Sequence, residues 1–465
     1  MLIPGDPFPP LSVRTSGNPD YALDSTGGRY VVISFIAGTQ QPGAAEFLRH
    51  LYASGTLFDD VKATCFVVSA SVDDARAGAI AERIPGIRVA WDLDQRLART
   101  CGILEHVTTD TAQLRLMTYV LDPGQRVLKV IPIPDLHDHF AQVRAAIDAL
   151  PDPALDHDSS APVLVVPNLL EPQLCADYIA YARRAGLEDS GFMIDDPRTG
   201  QTIGMVDHRH KRRFDSVIED RELQLLLQSR VLRRLAPQIE KAFQFKISRM
   251  ERYLVACYDG ASGGWFRPHK DNTTAGTAHR RFAVTISLND DYEGGGLRFP
   301  EFGSRIYRAP VGGAVVFSCS LLHEAVPVTA GERWALLPFL YDEAAAQVRL
   351  DNARHFADPE VGRAVVASVR DGQPGAGTAV TAPVPERAGE PQSAATPAAV
   401  KPRTRKTAAL SPARKPRSSE AKPAKARSDA PTRRATAPPE PRSGARADSA
   451  VTSVTRPHQV GVAKA

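Results

Sequence analysis

The stretch Phe266-Arg267-Pro268-His269-Lys270-Asp271, followed by Phe282-Ala283-Val284-Thr285-Ile286-Ser287-Leu288, decides how the C-terminal half of the chain folds. The second piece is a short apolar run rich in β-branched residues, which reads as a strand. Similar runs recur from Ile247 onward, at Arg252 to Tyr258, Arg305 to Tyr307, Ala314 to Ser318, Ala325 to Val328 and Trp334 to Tyr341, with Gly and Pro turns between them. Upstream, Val163 to Val166 reads as a strand. Glu171 to Ala185 reads as a helix with Leu174, Tyr178 and Ala182 on one face, and Asp220 to Phe243 as one or two more helices. Many short strands behind a helical preface predict a jelly-roll barrel, a double-stranded β-helix, with supporting helices over residues 162–350.

The chemistry sits in those strands. His269 and Asp271 are two residues apart, so on a β-edge they project to one face. His323 follows about fifty residues later on another strand, and closure of a barrel would bring it in. Two imidazoles and one carboxylate form the ligand set of a facial Fe(II) triad, which leaves coordination positions open. The triplet alone has weak specificity in a chain with 12 histidines. Paired polar residues in a jelly-roll shell, or a site for another divalent metal, are the competing readings. Arg333, in Gly331-Glu332-Arg333-Trp334, lies ten positions past His323. One strand on, its guanidinium can enter the same barrel and bind a dicarboxylate bidentately.

Here the sequence resembles the 2-oxoglutarate/Fe(II) dioxygenases, and most of all their prolyl 4-hydroxylase branch. The matching pieces are Arg252-Tyr253, Tyr258-Asp259-Gly260, the His269-Lys270-Asp271 segment, the strand 282–289, Glu293 to Pro300, Gly312 to Phe317 and His323 to Val328, in order across residues 162–345. The resemblance implies iron ligands at His269, Asp271 and His323. It implies Arg333 as the partner of 2-oxoglutarate, with Tyr258 hydrogen-bonding that co-substrate. Ala261-Ser262-Gly263-Gly264 lengthens the turn after Tyr258, so Tyr253 is the alternative for that role. The implied reaction consumes O2 and 2-oxoglutarate, releases succinate and CO2, and hydroxylates a peptide or protein side chain, proline being the usual target, or a small molecule. Ascorbate dependence is a further family expectation. Lys270, between the ligands, is expected to point away from the metal.

Residues 1–150 alternate strands and helices. Tyr30 to Ile36, Thr64 to Ser69, Leu116 to Leu121 and Val127 to Ile131 read as strands. Ala45 to Tyr52, Ala75 to Arg83 and His139 to Leu150 read as helices, which predicts an α/β domain with a largely buried sheet. The segments Gly5-Asp6-Pro7-Phe8-Pro9, Ile33-Ser34-Phe35, Phe66 to Asp73, Trp91 to Asp94 and Thr118 to Asp122 resemble the peroxiredoxin branch of the thioredoxin-like fold. That family's reactive thiol sits just after the first strand, at a helix N-terminus. The corresponding segment, Ala37 to Glu46, holds no cysteine, and Gly43 stands near the expected place. Cys65 and Cys101 are poor substitutes, so this domain is expected to be non-catalytic. A polar, proline-bearing linker, residues 151–161, leads to the barrel.

Composition sets the outer bounds. The 465 residues suggest two or three domains, and no apolar run approaches the roughly 20 residues that span a bilayer. The N-terminus has no basic start and no long apolar run, so a secretory signal is not expected. Five widely spaced cysteines without a CxxC pair argue against a disulfide scaffold and fit a reducing cytoplasm. The net charge of +4 is uneven. Residues 371–465 carry 17 Lys/Arg against 7 Asp/Glu, with 14 of the 37 prolines and no aromatic residue. Such a tail is expected to be disordered. A polybasic arm can hold phosphates or an acidic partner, though nothing in it can stack on bases. A solubilising or tethering tail is the plainer reading. The second function class is therefore a scaffold, in which a degenerate thioredoxin-like domain and a basic tail recruit partners. Among other polar residues, His208 to Arg213 reads as either a substrate-guiding loop or a solvated one. His137-Asp138-His139 reads as a helix cap, His279 as loop surface, and Trp265 and Trp334 as barrel packing.

Overall fold

The computed structural model describes residues 1–107, 112–153 and 159–370. The tail expected over 371–465, and the middle of the linker with His157 and Asp158, lie outside the described residues.

The N-terminal sheet runs in the order Ile87–Trp91, Ala63–Ser69, Tyr30–Ile36, Met117–Leu121, Val127–Pro132. The first three strands are parallel and the last two antiparallel. Both faces are covered, so the strands are apolar without alternation. Along Tyr30–Ile36, the residues Tyr30, Val32 and Ile36 pack with Phe47 and Leu51 of the helix Ala44–Tyr52 and with Phe140, Val143 and Ile147 of His139–Asp148. Val31, Ile33 and Phe35 face the opposite side with Leu97 and Ala98. The strand Ile87–Trp91 was not among the expected elements. The helix expected over Ala75 to Arg83 is shorter, Val72–Ala77, because Gly78 adopts a left-handed conformation that stops it. Arg83 instead pairs with Ile87 across a tight bridge.

The second part is built from two antiparallel sheets. The larger runs Leu164–Val166, Ala314–Ser318, Phe282–Ser287, Val328–Leu336, Leu254–Asp259, Phe214–Val217, Glu188–Asp189. The smaller runs Lys211–Arg212, Trp265–His269, His323–Ala325, Leu297–Arg298, Ile306–Tyr307. Strand period two sorts the larger sheet's side chains. Val255, Cys257, Val284, Ile286, Trp334 and Leu336 pack outward with Tyr178 of the helix Pro172–Ala185 and with Leu227 and Ile239. The intervening Ala256, Tyr258, Thr285 and Arg333 turn inward. The helical stretch 221–243 is continuous but widens over Val231–Leu235. Pro237 lacks the N–H that would close the ordinary turn there. Two further helices, Glu343–Asn352 and Pro359–Arg370, extend the ordered chain beyond the expected end at 350. Among the described residues, no helix is long and apolar enough to cross a membrane.

The two parts touch through a short N-terminal segment. The 3-10 turn Leu23–Thr26 is fixed in its own half by Gln125 Nε2 donating to Thr26 Oγ1 at 3.1 Å and by Gly28 N donating to Pro123 O at 2.9 Å. Gly27 and Gly28 then lie flat against Glu301 and Pro300 of the second half. Gly28 has φ +88°, and a Cβ there would sit 2.3 Å from Pro300 Cβ. The described ends of the linker are anchored too. Ser160 Oγ accepts from Arg305 Nη1 at 2.6 Å, and Ala161 N donates to Tyr307 Oη at 2.8 Å.

The His137 to His139 segment corrects one expectation. Asp138 stands at the N-cap position but its side chain makes no capping bond. His139 instead turns into the core, fully buried, with Nε2 2.7 Å from Thr118 Oγ1. The sheet face beneath the helix offers the imidazole a hydroxyl, and burial pushes it down to about 4.

Two outcomes follow from this packing. Gly28→Ala must push apart the contact at Pro300 and strain a left-handed backbone, so it should lower stability by about 1–3 kcal/mol. Gly17→Ala, with nothing within 4 Å of the added carbon, should leave the melting temperature nearly unchanged. Secondly, the unfolded chain protonates His139 near 6.5, before the folded protein does near 4. Stability contributed here is therefore complete above pH 6.5 and declines as pH falls towards 4. His139→Gln should flatten that part of a plot of melting temperature against pH; an unchanged slope would contradict the assignment.

Candidate metal centre

The cavity between the two sheets has a volume of about 390 Å3. Its lining includes His269, Asp271, His323, Arg333 and Tyr258, and also Ala22, Asp24 and Ser25 from the N-terminal half. His269 ends the strand Trp265–His269, and His323 opens the strand His323–Ala325. The two strands are paired so that these residues stand directly opposite each other. Asp271 lies just past its strand, where its N–H donates to Cys319 O at 3.0 Å and fixes the turn. One ligand atom from each residue lies within 4.8 Å of the others. His269 Nε2 is 3.6 Å from Asp271 Oδ1, and His323 Nε2 is 3.3 Å from Asp271 Oδ2. Donors about 2.1 Å from one ion at right angles lie about 3 Å apart, so the spacing suits an octahedral cation.

Both imidazoles are aimed by the main chain. His269 Nδ1 donates to Arg267 O at 2.7 Å, and His323 Nδ1 donates to Leu321 O at 3.0 Å. A carbonyl oxygen only accepts, so each bond places the proton on Nδ1 and leaves the Nε2 lone pair facing Asp271. Burial, reinforced by His323, pushes His269 well below the usual imidazole range, which keeps it in its ligating form at neutral pH. Phe266 stacks on the His269 ring at 3.5 Å, and Phe317 meets the His323 ring edge-on at 4.6 Å. Each imidazole is thus packed against an aromatic ring.

Arg333 is buried, and its Nη1 has no hydrogen-bond partner. Its guanidinium lies 4.9 Å from the centroid of the Tyr258 ring, and the two residues stand opposite each other across paired strands. A buried guanidinium nitrogen without a partner is costly unless an anion meets it. Tyr253 does not share this position with Tyr258. It packs in the helix-facing core with Ile218 and Ile247, because its odd offset turns it to the other side of the sheet.

Lys270, expected to point away from the metal, lines the cavity and has a definite partner. Its Nζ lies 2.6 Å from Asp24 Oδ2, which ties the residue between the two ligands to the N-terminal half. The basic run His208 to Arg213 also takes definite form. Lys211 and Arg213 are buried and line the cavity, while Arg209 and Arg212 face solvent. Strand alternation thus makes one run both wall and surface, and burial pushes Lys211 well below the usual lysine range. His279 is a second correction. It is buried behind the cavity, with Nε2 3.2 Å from Glu251 Oε2. Arg280 and Arg349 hold the same carboxylate at 2.7 and 2.8 Å. Burial alone would raise Glu251, but Arg349, His279 and Arg280 keep it well below the usual carboxylate range. Its position before the strand Leu254–Asp259 gave no local sign of this pairing. All five cysteines are buried and free. Burial pushes Cys101 up to about 12 and Cys65 higher still, so neither offers a thiolate. Gly43 begins a helix at φ +81°, where a Cβ would meet His137 N at 2.8 Å.

Residues 253–341 match the 2OG-Fe(II) oxygenase superfamily. A PKHD-type hydroxylase of Paracoccus denitrificans is 30% identical over 202 residues, which cover 42% of this chain and 82% of that protein. The chain spans only about two fifths of the length of three other curated PKHD-type hydroxylases, from Cupriavidus metallidurans and two Synechococcus strains. A solved prolyl hydroxylase of Trichoplax adhaerens, complexed with a peptide fragment of hypoxia inducible factor, covers 40% of this chain and 85% of its own. Its identity is 19% and its TM-score 0.32. A solved PrxQ point mutant of Xylella fastidiosa covers 32% of this chain and 97% of its own, at 18% identity and a TM-score of 0.27. The match that extends over four fifths of the Paracoccus protein, together with the superfamily match across the barrel strands, shows that this chain belongs to the 2-oxoglutarate/Fe(II) oxygenases, a family whose metal is Fe(II) and whose co-substrate is 2-oxoglutarate.

Proposed function

We propose that the protein is a 2-oxoglutarate- and Fe(II)-dependent dioxygenase that hydroxylates a side chain of a peptide or protein, with proline the first residue to test, and releases succinate and CO2. The observation that carries this reading is the meeting, in one cavity, of the three convergent ligand atoms with the partnerless guanidinium of Arg333. Bound iron would supply O2 activation coupled to decarboxylation of 2-oxoglutarate.

The protein's own share is positional. His269, Asp271 and His323 would hold one face of the metal and leave the other open. Arg333 would take the distal carboxylate of 2-oxoglutarate, which gives its Nη1 the acceptor it lacks. Tyr258, against the guanidinium, would fix its direction and add a phenolic hydroxyl on the co-substrate's side. Phe266 and Phe317 would keep the ligand rings dry and rigid. In this assignment residues 1–150 form a lobe without a redox thiol, and residues 162–350 carry the chemistry.

Two measurements test the roles. Purified protein with Fe(II) and 2-oxoglutarate should release succinate. His269→Ala and Asp271→Ala should abolish that release and weaken Mn(II) binding at least tenfold, as read by electron paramagnetic resonance. Wild-type turnover in either variant would refute the metal assignment. Arg333→Met should raise the KM for 2-oxoglutarate roughly ten- to a hundredfold, the worth of a charge-assisted hydrogen bond of about 1.5–3 kcal/mol. The ligand-free variant should melt no lower than the wild type, because an orphaned buried charge has been removed. A KM within twofold of the wild type would place the co-substrate elsewhere.

A further inference from the structure

We propose that the molecule modified at this centre carries an anionic oxygen group, a carboxylate or phosphate, held by Lys211 and Arg252 on one flank of the cavity. The proposal rests on the oxygenase reading and names the substrate class of that same site.

Six side chains that are ordinarily cationic line the cavity: Lys211, Arg213, Arg252, Lys270, Arg280 and Arg333. Three carboxylates line it with them: Asp24, Asp215 and Asp271. Lys270 is matched by Asp24 at 2.6 Å, and Arg213 by Asp215 at 2.7 Å. Arg280 is matched from behind the wall by Glu251 at 2.7 Å, although Arg349 draws on the same carboxylate. Asp271 belongs to the metal, and a 2-oxoglutarate dianion would be met by the metal and Arg333. Lys211 and Arg252 remain. The nearest carboxylate to Arg252 is Asp215 at 3.7 Å, already gripped by Arg213. Lys211 Nζ donates only to uncharged oxygens, Ser190 Oγ at 2.7 Å and Gly191 O at 2.5 Å.

Removing a charge from water without its own counterion costs several kcal/mol. The buried Arg252 guanidinium, left with a carboxylate already held by Arg213, therefore points to a counterion that arrives with the ligand. The Lys211 amine, which meets only neutral acceptors, is a second donor for the same anion. The placement agrees. Lys211 stands opposite Phe266, on the strand beside the one that carries His269. Arg252 precedes the strand of Tyr258 and has φ +66°, a left-handed conformation that an arginine adopts at a cost of about 1 kcal/mol or more. Its guanidinium lies 5.2 Å from the Phe339 ring centroid, which holds it over the cavity without neutralising it.

The test uses full-length protein loaded with Mn(II) and 2-oxoglutarate. Sodium sulfate is titrated by calorimetry at constant ionic strength. One saturable site is expected in the wild type, weakened at least tenfold in Lys211→Met and in Arg252→Met and partly restored in Arg252→Lys. Absence of saturable binding in the wild type, or equal binding in folded variants, overturns the proposal. Should Lys211→Met fail to fold, the Arg252 pair decides. A second arm compares succinate release with two peptides that differ only in Asp or Asn beside a proline, and with a phosphoserine version. Faster release with the Asp or phosphoserine peptide supports a substrate anion and identifies its source; equal stimulation by the Asn peptide removes it. Loss of Mn(II) binding in His269→Ala is scored separately, so failure of the metal reading cannot be mistaken for failure of the anion site.

Discussion

The centre depends on one backbone pairing, the antiparallel contact between the strands Trp265–His269 and His323–Ala325. It sets two imidazoles opposite each other, tilted by 49° with ring centroids 4.3 Å apart, from positions far apart in the chain. The Asp271 N–H bond to Cys319 O then locks the carboxylate between them. Since each Nδ1 is spent on a local carbonyl, the strands fix ring orientation and protonation along with position. The register must hold to the residue, because a slip of one would turn the ligands to the opposite face.

Charge is the second organising constraint. Several arginines line or back the cavity, and most meet a carboxylate either close by in the chain or on another element. Glu251 alone gathers Arg280, Arg349 and His279, and Asp215 gathers Arg213. These buried pairs cost desolvation and are weak contributors to stability. They do hold the walls of a cavity in one shape. Arg333 stands outside this neutralisation, with its buried Nη1 left without a hydrogen-bond partner.

The N-terminal half buries both of its cysteines, Cys65 and Cys101, and it contributes to the cavity as structure. Its turn Leu23–Thr26 is held from within, and Asp24 reaches Lys270 between the two ligand positions. Ala22, Asp24 and Ser25 thereby form part of the cavity's wall. The glycine pair Gly27-Gly28 permits that closeness, since a side chain at either position would strike Glu301 or Pro300.

The sequence by itself marked most of the strands and helices of both halves, though not Ile87–Trp91, and it put forward His269, Asp271, His323 and Arg333 as candidates. Those signals are local: apolar period, a two-residue spacing, a fixed offset. The buried fates of His279, His139 and Lys211 were decided only by the tertiary structure. A charged residue flanked by charged residues looks solvated until a distant strand supplies Glu251, Thr118 or Ser190. Which of Tyr258 and Tyr253 meets the cavity was decided in the same way, by the face of the sheet each one occupies. Partners from remote positions leave no mark in a local window, because the interaction exists only once the chain has closed on itself.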